Sequence, residues 1–169
     1  YKKDILKYGD HQIDNSDIKA VIKTLKSDFL TQGPLVGKFE KEFSRYVGSK
    51  ETVVCSSGTA AIHLSLISLG IKKNDFVIIP SVTFLSSASC VKHLGGKIIF
   101  ADINPKTGLV EPENLLDVII FAKKKGFLNK IKAFIPVHLN GQCTNLNIIN
   151  KICSEYKIRI IEDSCHALG

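Results

Sequence analysis

Five short apolar runs in this 169-residue chain each end in small, polar or ionisable residues. The exits are Ser56-Ser57-Gly58-Thr59, Pro80-Ser81-Val82-Thr83-Phe84, Asp102, His138-Leu139-Asn140-Gly141 and Glu162-Asp163-Ser164-Cys165-His166. The first leads straight into an apolar helix-forming stretch, so backbone N–H groups and the positive end of a helix dipole face whatever binds there. That arrangement can cradle a phosphate: Gly58 allows close backbone approach and Thr59 adds a hydroxyl. The same residues also make an ordinary helix cap. Neither GxGxxG nor GxxxxGK[ST] occurs, which speaks against a dinucleotide fingerprint or a P-loop.

The last exit delivers two carboxylates, Glu162 and Asp163. A carboxylate set down after a buried strand is costly unless it meets a cation or several donors. A protonated pyridine nitrogen would supply that charge; Asp163-Ser164 would equally suit the cap of a following helix. His166 could face the same ligand or fill a polar gap in the core. From its loop, the Phe84 ring could lie over a flat heterocycle or be a core side chain. His138 and Asn140, with Gly141 permitting a tight turn, could touch a ligand or only order their loop. Five such exits on one edge are harder to attribute to coincidence than any one alone.

The elements that must bring these groups together follow from the periodicity. Apolar runs predict strands over 52–55, 76–79, 97–101, 131–137 and 158–161, and amphipathic stretches predict helices over 59–69, 85–94, 112–125 and 146–156. Five strands alternating with four helices make an α/β fold, a three-layer sandwich with a mainly parallel sheet. In such a sheet ligands bind beyond the carboxyl ends of the strands, which is where the five exits lie. Ahead of it, Asn15-Ser16-Asp17 predicts the cap of a helix carrying Ile18, Val21, Ile22 and Leu25 on one face. Leu30-Thr31-Gln32-Gly33-Pro34 breaks that helix, and a second over 36–47, bearing Phe39, Phe43, Tyr46 and Val47, stops at Gly48. The expected organisation is a helical segment over 1–48 and a sheet domain over 49–169.

With 44% hydrophobic and 23% charged residues the chain can bury a core. A net charge of +7 suits an anionic partner. The lysines are scattered, however, and Lys123-Lys124-Lys125 before Gly126 reads as a solvated helix end, so no nucleic-acid partner is expected. Cys55, Cys90, Cys143, Cys153 and Cys165 form no CxxC pair, are odd in number, and are expected to be reduced and mostly buried, which points to the cytosol. No metal site is expected. No apolar run approaches the ~20 residues of a membrane span, and Tyr1-Lys2-Lys3-Asp4 is not followed by a leader's apolar core, so no membrane partner is expected either. The chain opens without Met and stops just after a strand-like run, the expectation being a fragment of a longer protein.

Gly58-Thr59-Ala60-Ala61, Pro80 through Phe84 with Ser86-Ser87-Ala88, Phe100-Ala101-Asp102-Ile103, His138-Leu139-Asn140-Gly141 and Glu162-Asp163-Ser164-Cys165-His166-Ala167 occur in one order along the chain. Together they resemble the DegT-type sugar aminotransferases, fold-type-I enzymes that use pyridoxal phosphate. Ser27 through Pro34, with Phe39-Glu40, is similar to their N-terminal signature, most closely in the branch of UDP-4-amino-4,6-dideoxy-N-acetyl-β-L-altrosamine transaminases of pseudaminic acid synthesis.

The resemblance implies a truncated fold-type-I large domain, with the rest of that domain and a C-terminal small domain absent. It implies that Gly58, Thr59 and Ala60 hold the cofactor phosphate, that Phe84 stacks on the pyridine ring, that Asp163 pairs with the pyridinium nitrogen, and that His166 approaches the ring hydroxyl. Thr31, Gln32 and Gly33 would lie near a sugar nucleotide or a dimer interface. The family's Schiff-base lysine follows the Glu-Asp-x-x-His-Ala segment, beyond Gly169, so no catalytic residue is assigned here and the chain alone should be silent. The implied reaction moves an amino group from an amino acid, glutamate by expectation, to C4 of a UDP-linked 4-keto-6-deoxy sugar in a cytoplasmic homodimer. Competing readings are a dehydratase of the same family, with His in place of the lysine, a non-catalytic regulatory protein that keeps the phosphate cradle, and an unrelated nucleotide-binding α/β domain.

Overall fold

The computed structural model describes residues 11–168; the charged opening Tyr1-Lys2-Lys3-Asp4 and Gly169 lie outside them. The chain divides between Val54 and Cys55 into two compact units.

The first unit holds helices α1 (Asn15–Leu25) and α2 (Pro34–Val47). The α1 cap is Asp14, one residue before the expected trio: its carboxylate accepts the N–H groups of Ser16 and Asp17, and Asp17 answers by accepting the Asp14 N–H. This reciprocal box satisfies donors that a helix start otherwise leaves open. Between the helices, Gly33 caps α2 and Pro34 opens it. Gly33 is required by space, since a Cβ there would sit 2.8 Å from Phe29 Cβ. Gly48 closes α2 in the left-handed conformation, φ 69°.

The second unit is built on a four-stranded parallel sheet in the order β2 (Lys97–Ala101), β1 (Phe76–Pro80), β3 (Ile131–Phe134), β4 (Arg159–Ile160). Helices α3 (Gly58–Ser68), α4 (Ser86–His93), α5 (Pro112–Lys124) and α6 (Leu146–Glu155) alternate with the strands. Alternation along β1 divides the core between two faces. Val77 and Ile79 pack with Ile62 and Leu66 of α3 and Cys90 and Val91 of α4. Ile78 packs with Leu115, Val118 and Ile119 of α5 and Ile149 and Ile152 of α6. Buried on both sides, the sheet is the middle of three layers, as the apolar runs predicted. The α5 end also matches: Lys123 and Lys124 sit in its last turn and Gly126 follows at φ 75°.

One expected strand is absent. Residues 52–55 pair with no strand among the described residues; Val53 is 78% exposed, and the Val54 N–H donates to the Glu40 carboxylate instead of a ladder carbonyl. Four strands therefore replace the expected five. The strand expected to reach Val137 stops at Phe134 because Pro136 cannot donate to a ladder. Pairing nonetheless resumes as a parallel bridge from Val137 to Asp163. Among the described residues no helix is long and apolar enough to cross a membrane, and no His, Cys, Asp and Glu cluster could hold a metal ion.

Candidate functional site

The carboxyl edge of the sheet gathers three of the exits through specific contacts. At the first, Ser57 caps α3, its hydroxyl accepting the Ala60 N–H at 3.1 Å and its carbonyl taking that of Ala61. That occupies the backbone donor of Ala60 and leaves those of Gly58 and Thr59 as the donors at the helix start that have no intrahelical acceptor. Gly58 is again a matter of space, because a Cβ would lie 2.6 Å from Cys165 Sγ. Thus the start of α3 meets the segment that follows β4. Cys90 anchors the same turn from below, its thiol 3.5 Å from the Thr59 carbonyl.

Asp163 is 6% exposed. Its N–H donates to Pro136 O at 2.9 Å, its carbonyl accepts the His138 N–H at 3.0 Å, and its Oδ1 accepts the Cys165 N–H at 3.2 Å. The Cys165 thiol also donates to the carboxylate, which is the main reason that thiol is pushed up to about 11, with partial burial second. No helix begins at Asp163: the contact with Cys165 closes a turn, so the expected helix-cap alternative does not hold. No cation among the described residues lies within ion-pair distance of this carboxylate.

His138 is 2% exposed, and its Nε2 lies 3.1 Å from Glu162 Oε2. It orders the loop rather than meeting solvent. His166 is brought to the same loop, its Nδ1 accepting the Asn140 N–H at 3.4 Å. Gly141, at φ 81°, lies against the His166 carbonyl, 3.1 Å from where a Cβ would stand. Phe84 is 71% exposed, so it is not a core side chain. Thr31, Gln32 and Gly33 lie in the first unit, Gln32 in the left-handed region at φ 49°, a conformation uncommon outside glycine.

Two features escaped the sequence reading. The His138–Glu162 pair was not foreseen, although both residues follow neighbouring parallel strands at matching depth. Cys165, expected as a reduced and buried thiol, instead donates its N–H to Asp163 Oδ1. All five cysteines are free, but only Cys90 and Cys153 are buried, and Cys143 and Cys165 are exposed, so the expectation of mostly buried thiols does not hold.

The donor set fits pyridoxal phosphate. A buried carboxylate with no cation beside it among the described residues suits a protonated ring nitrogen, and paired helix-start N–H groups suit a phosphate.

Residues 11–169 match the model of the DegT/DnrJ/EryC1/StrS aminotransferase family. A UDP-4-amino-4-deoxy-L-arabinose–oxoglutarate aminotransferase of Shewanella sediminis is 37% identical to this chain, over 93% of this chain and 38% of its own length. NtdA of Bacillus subtilis, solved with bound pyridoxamine phosphate, superposes with a TM-score of 0.81 at 32% identity, over 93% of this chain and 35% of that one. A Streptococcus pneumoniae relative, solved in pyridoxal and pyridoxamine phosphate forms, gives 0.82 at 28% identity, over 94% of this chain and 42% of that one. The chain spans about two fifths of the length of these relatives.

Proposed function

This chain belongs to the DegT/DnrJ/EryC1/StrS aminotransferase family, whose cofactor is pyridoxal phosphate, and we propose that it is the cofactor-binding part of a sugar-nucleotide aminotransferase. The reaction proposed for the whole protein transfers the amino group of glutamate to C4 of a UDP-linked 4-keto-6-deoxy sugar, within a cytoplasmic homodimer that makes precursors of surface polysaccharides, the altrosamine branch of pseudaminic acid synthesis being the specific candidate. The observation that carries the reading is the buried carboxylate of Asp163, which meets no cation among the described residues and is tied through Cys165 to the start of α3.

When bound, pyridoxal phosphate supplies the electron sink for amino-group transfer. The chain's own residues bind and orient. The N–H groups of Gly58 and Thr59, with the Thr59 hydroxyl, would hold the phosphate, and Ala60 would shape that turn while its own N–H stays on Ser57. Asp163 would keep the ring nitrogen protonated, its low-dielectric setting strengthening the pair. Phe84, exposed beside the strand ends, would cover one ring face. His166 would approach the ring hydroxyl. Gln32, with its left-handed backbone, and its neighbours Thr31 and Gly33 would serve the sugar nucleotide or the subunit interface. The Schiff-base lysine is proposed to come from the part of the protein that follows Gly169.

The test uses the full-length protein with L-glutamate and a UDP-4-keto-6-deoxy sugar. The expected result is one 2-oxoglutarate per amino sugar formed, with kcat/KM falling about 100-fold or more in Asp163→Asn, because removing one partner of a buried charge pair strands the other. Sugar-dependent 2-oxoglutarate that is absent, or equal in Asp163→Asn, overturns the reading. Loss of water from the sugar without consumption of glutamate favours the dehydratase instead.

A further inference from the structure

Glu162 and Asp163 are consecutive carboxylates leaving one strand, and an extended chain sends consecutive side chains to opposite faces. Only one can face a given ligand, and a slip of one residue would exchange them. Something must therefore decide which acid is presented.

The adjacent strand exit carries the means. Val137 and Asp163 form a parallel bridge, so their side chains share one face and those of His138 and Glu162 share the other. On that second face His138 Nε2 meets Glu162 Oε2 at 3.1 Å, while the backbone N–H of the same His138 donates to the Asp163 carbonyl at 3.0 Å. One residue thus grips both acids, the first through its ring and the second through its main chain. Pro136 completes the clasp by accepting the Asp163 N–H.

The imidazole is held at a cost. His138 Nδ1 is buried and has no hydrogen-bond partner among the described residues. A leucine or phenylalanine would avoid that unmet group, so stability alone does not account for histidine here. The tautomer with hydrogen on Nε2 donates to Glu162 and leaves only an acceptor unmet. The other tautomer would bury an unmet donor and set a lone pair against the carboxylate.

We propose that His138 is a positioning residue whose grip on Glu162 fixes the register of the segment after β4, so that Asp163, and not Glu162, is the carboxylate presented on the cofactor side. Naming that side the cofactor's rests on the function proposed above; the lock itself does not.

The experiment is hydrogen–deuterium exchange of the full-length protein without cofactor, following amides 161–165 with Ile78 of β1 as reference. Both His138→Ala and Glu162→Ala speed exchange at Asp163 about tenfold, the worth of one hydrogen bond to a charged group, and the double variant adds nothing further. His138→Gln, whose amide nitrogen reaches the Nε2 position, restores protection; His138→Asn, whose amide reaches only the Nδ1 position, does not. Additive effects, equal behaviour of Gln and Asn, or acceleration shared by Ile78 overturn the lock. Should an alanine variant fail to fold, the Gln and Asn pair decides by itself. Titration with pyridoxal phosphate separates the two ideas: a wild-type protein that binds none sinks the functional reading while exchange still judges the lock. Cofactor bound equally tightly by wild type and His138→Asn overturns the claim that the lock presents Asp163 to the cofactor, while exchange judges the register itself.

Discussion

Helices α1 and α5 are written in the same local grammar and end in different circumstances. Each opens on a reciprocal capping box, Asp14 with Asp17 in α1 and Glu111 with Asn114 in α5, and each carries an apolar stripe. Yet α5 buries Leu115, Val118, Ile119 and Ala122 against the sheet, whereas α1 buries nothing: Val21 is 58% exposed and Leu25 65%. Capping and periodicity are enough to start, stop and orient a helix. They do not provide the surface that takes its stripe out of water, and most of a helix's stability in a protein comes from that surface.

The largest expected contrast is accordingly between two leucines. Leu115→Ala leaves a cavity in a fully buried site and should lower stability by about 2–5 kcal/mol, while Leu25→Ala should stay within about 0.5 kcal/mol. Urea unfolding of the full-length protein reads both. Equal losses would break the comparison, because the stripe of α1 would then be buried in the whole protein as deeply as that of α5.

Thiol chemistry probes the sheet unit alone, since all five cysteines lie in it. Burial pushes the Cys153 thiol up to about 12, and the Asp163 carboxylate accepting its hydrogen is the main reason Cys165 is pushed up to about 11. Cys165 is exposed, yet at pH 8 its thiolate fraction should be about 200-fold below that of an unperturbed thiol with pKa near 8.5. Iodoacetamide labelling followed by mass spectrometry should find Cys165 slow in the native protein and much faster in Asp163→Asn. Cys153 should label only when its unit opens. A Cys165 rate indifferent to Asp163→Asn would show that accessibility, and not the carboxylate, sets its reactivity.

The same two regions explain what could be read in advance. The α/β alternation was legible because strands buried on both faces must be continuous apolar runs, and β1, with Val77, Ile78 and Ile79 all fully buried, is such a run. The convergence of exits followed from parallel order alone. Thr52 to Cys55 misled because an apolar run records a tendency to pair, not the presence of a partner, and Glu40 takes the Val54 N–H instead. The His138–Glu162 pair stayed hidden for a related reason: it depends on the register between β3 and β4, which no periodicity within either strand contains. Asp163 was visible as an acid after a strand, but its turn with Cys165 is a matter of backbone geometry past the strand end, where a cap and an isolated turn use the same residues.

The smallest effect falls on the region whose order is most local. In α1 the Asp14 carboxyl is held below its ordinary value, first by the Ser16 hydroxyl and then by the N–H groups of Asp17 and Ser16. Because the folded value is the lower one, the ionised cap favours the helix at every pH above the unfolded value, about 3.9, and that contribution disappears as pH falls through the folded value. Chemical shifts of Ile18 and Val21, followed from pH 6 down to pH 2, should therefore move toward the coil in the acid part of that window while the fully buried Ile78 does not respond in step. Asp14→Asn should remove the pH dependence and keep the cap, since asparagine caps about as well as aspartate but does not ionise. A titration of Ile18 that survives in Asp14→Asn would mean that a group other than the cap controls the start of α1, and the local account of that helix would fail.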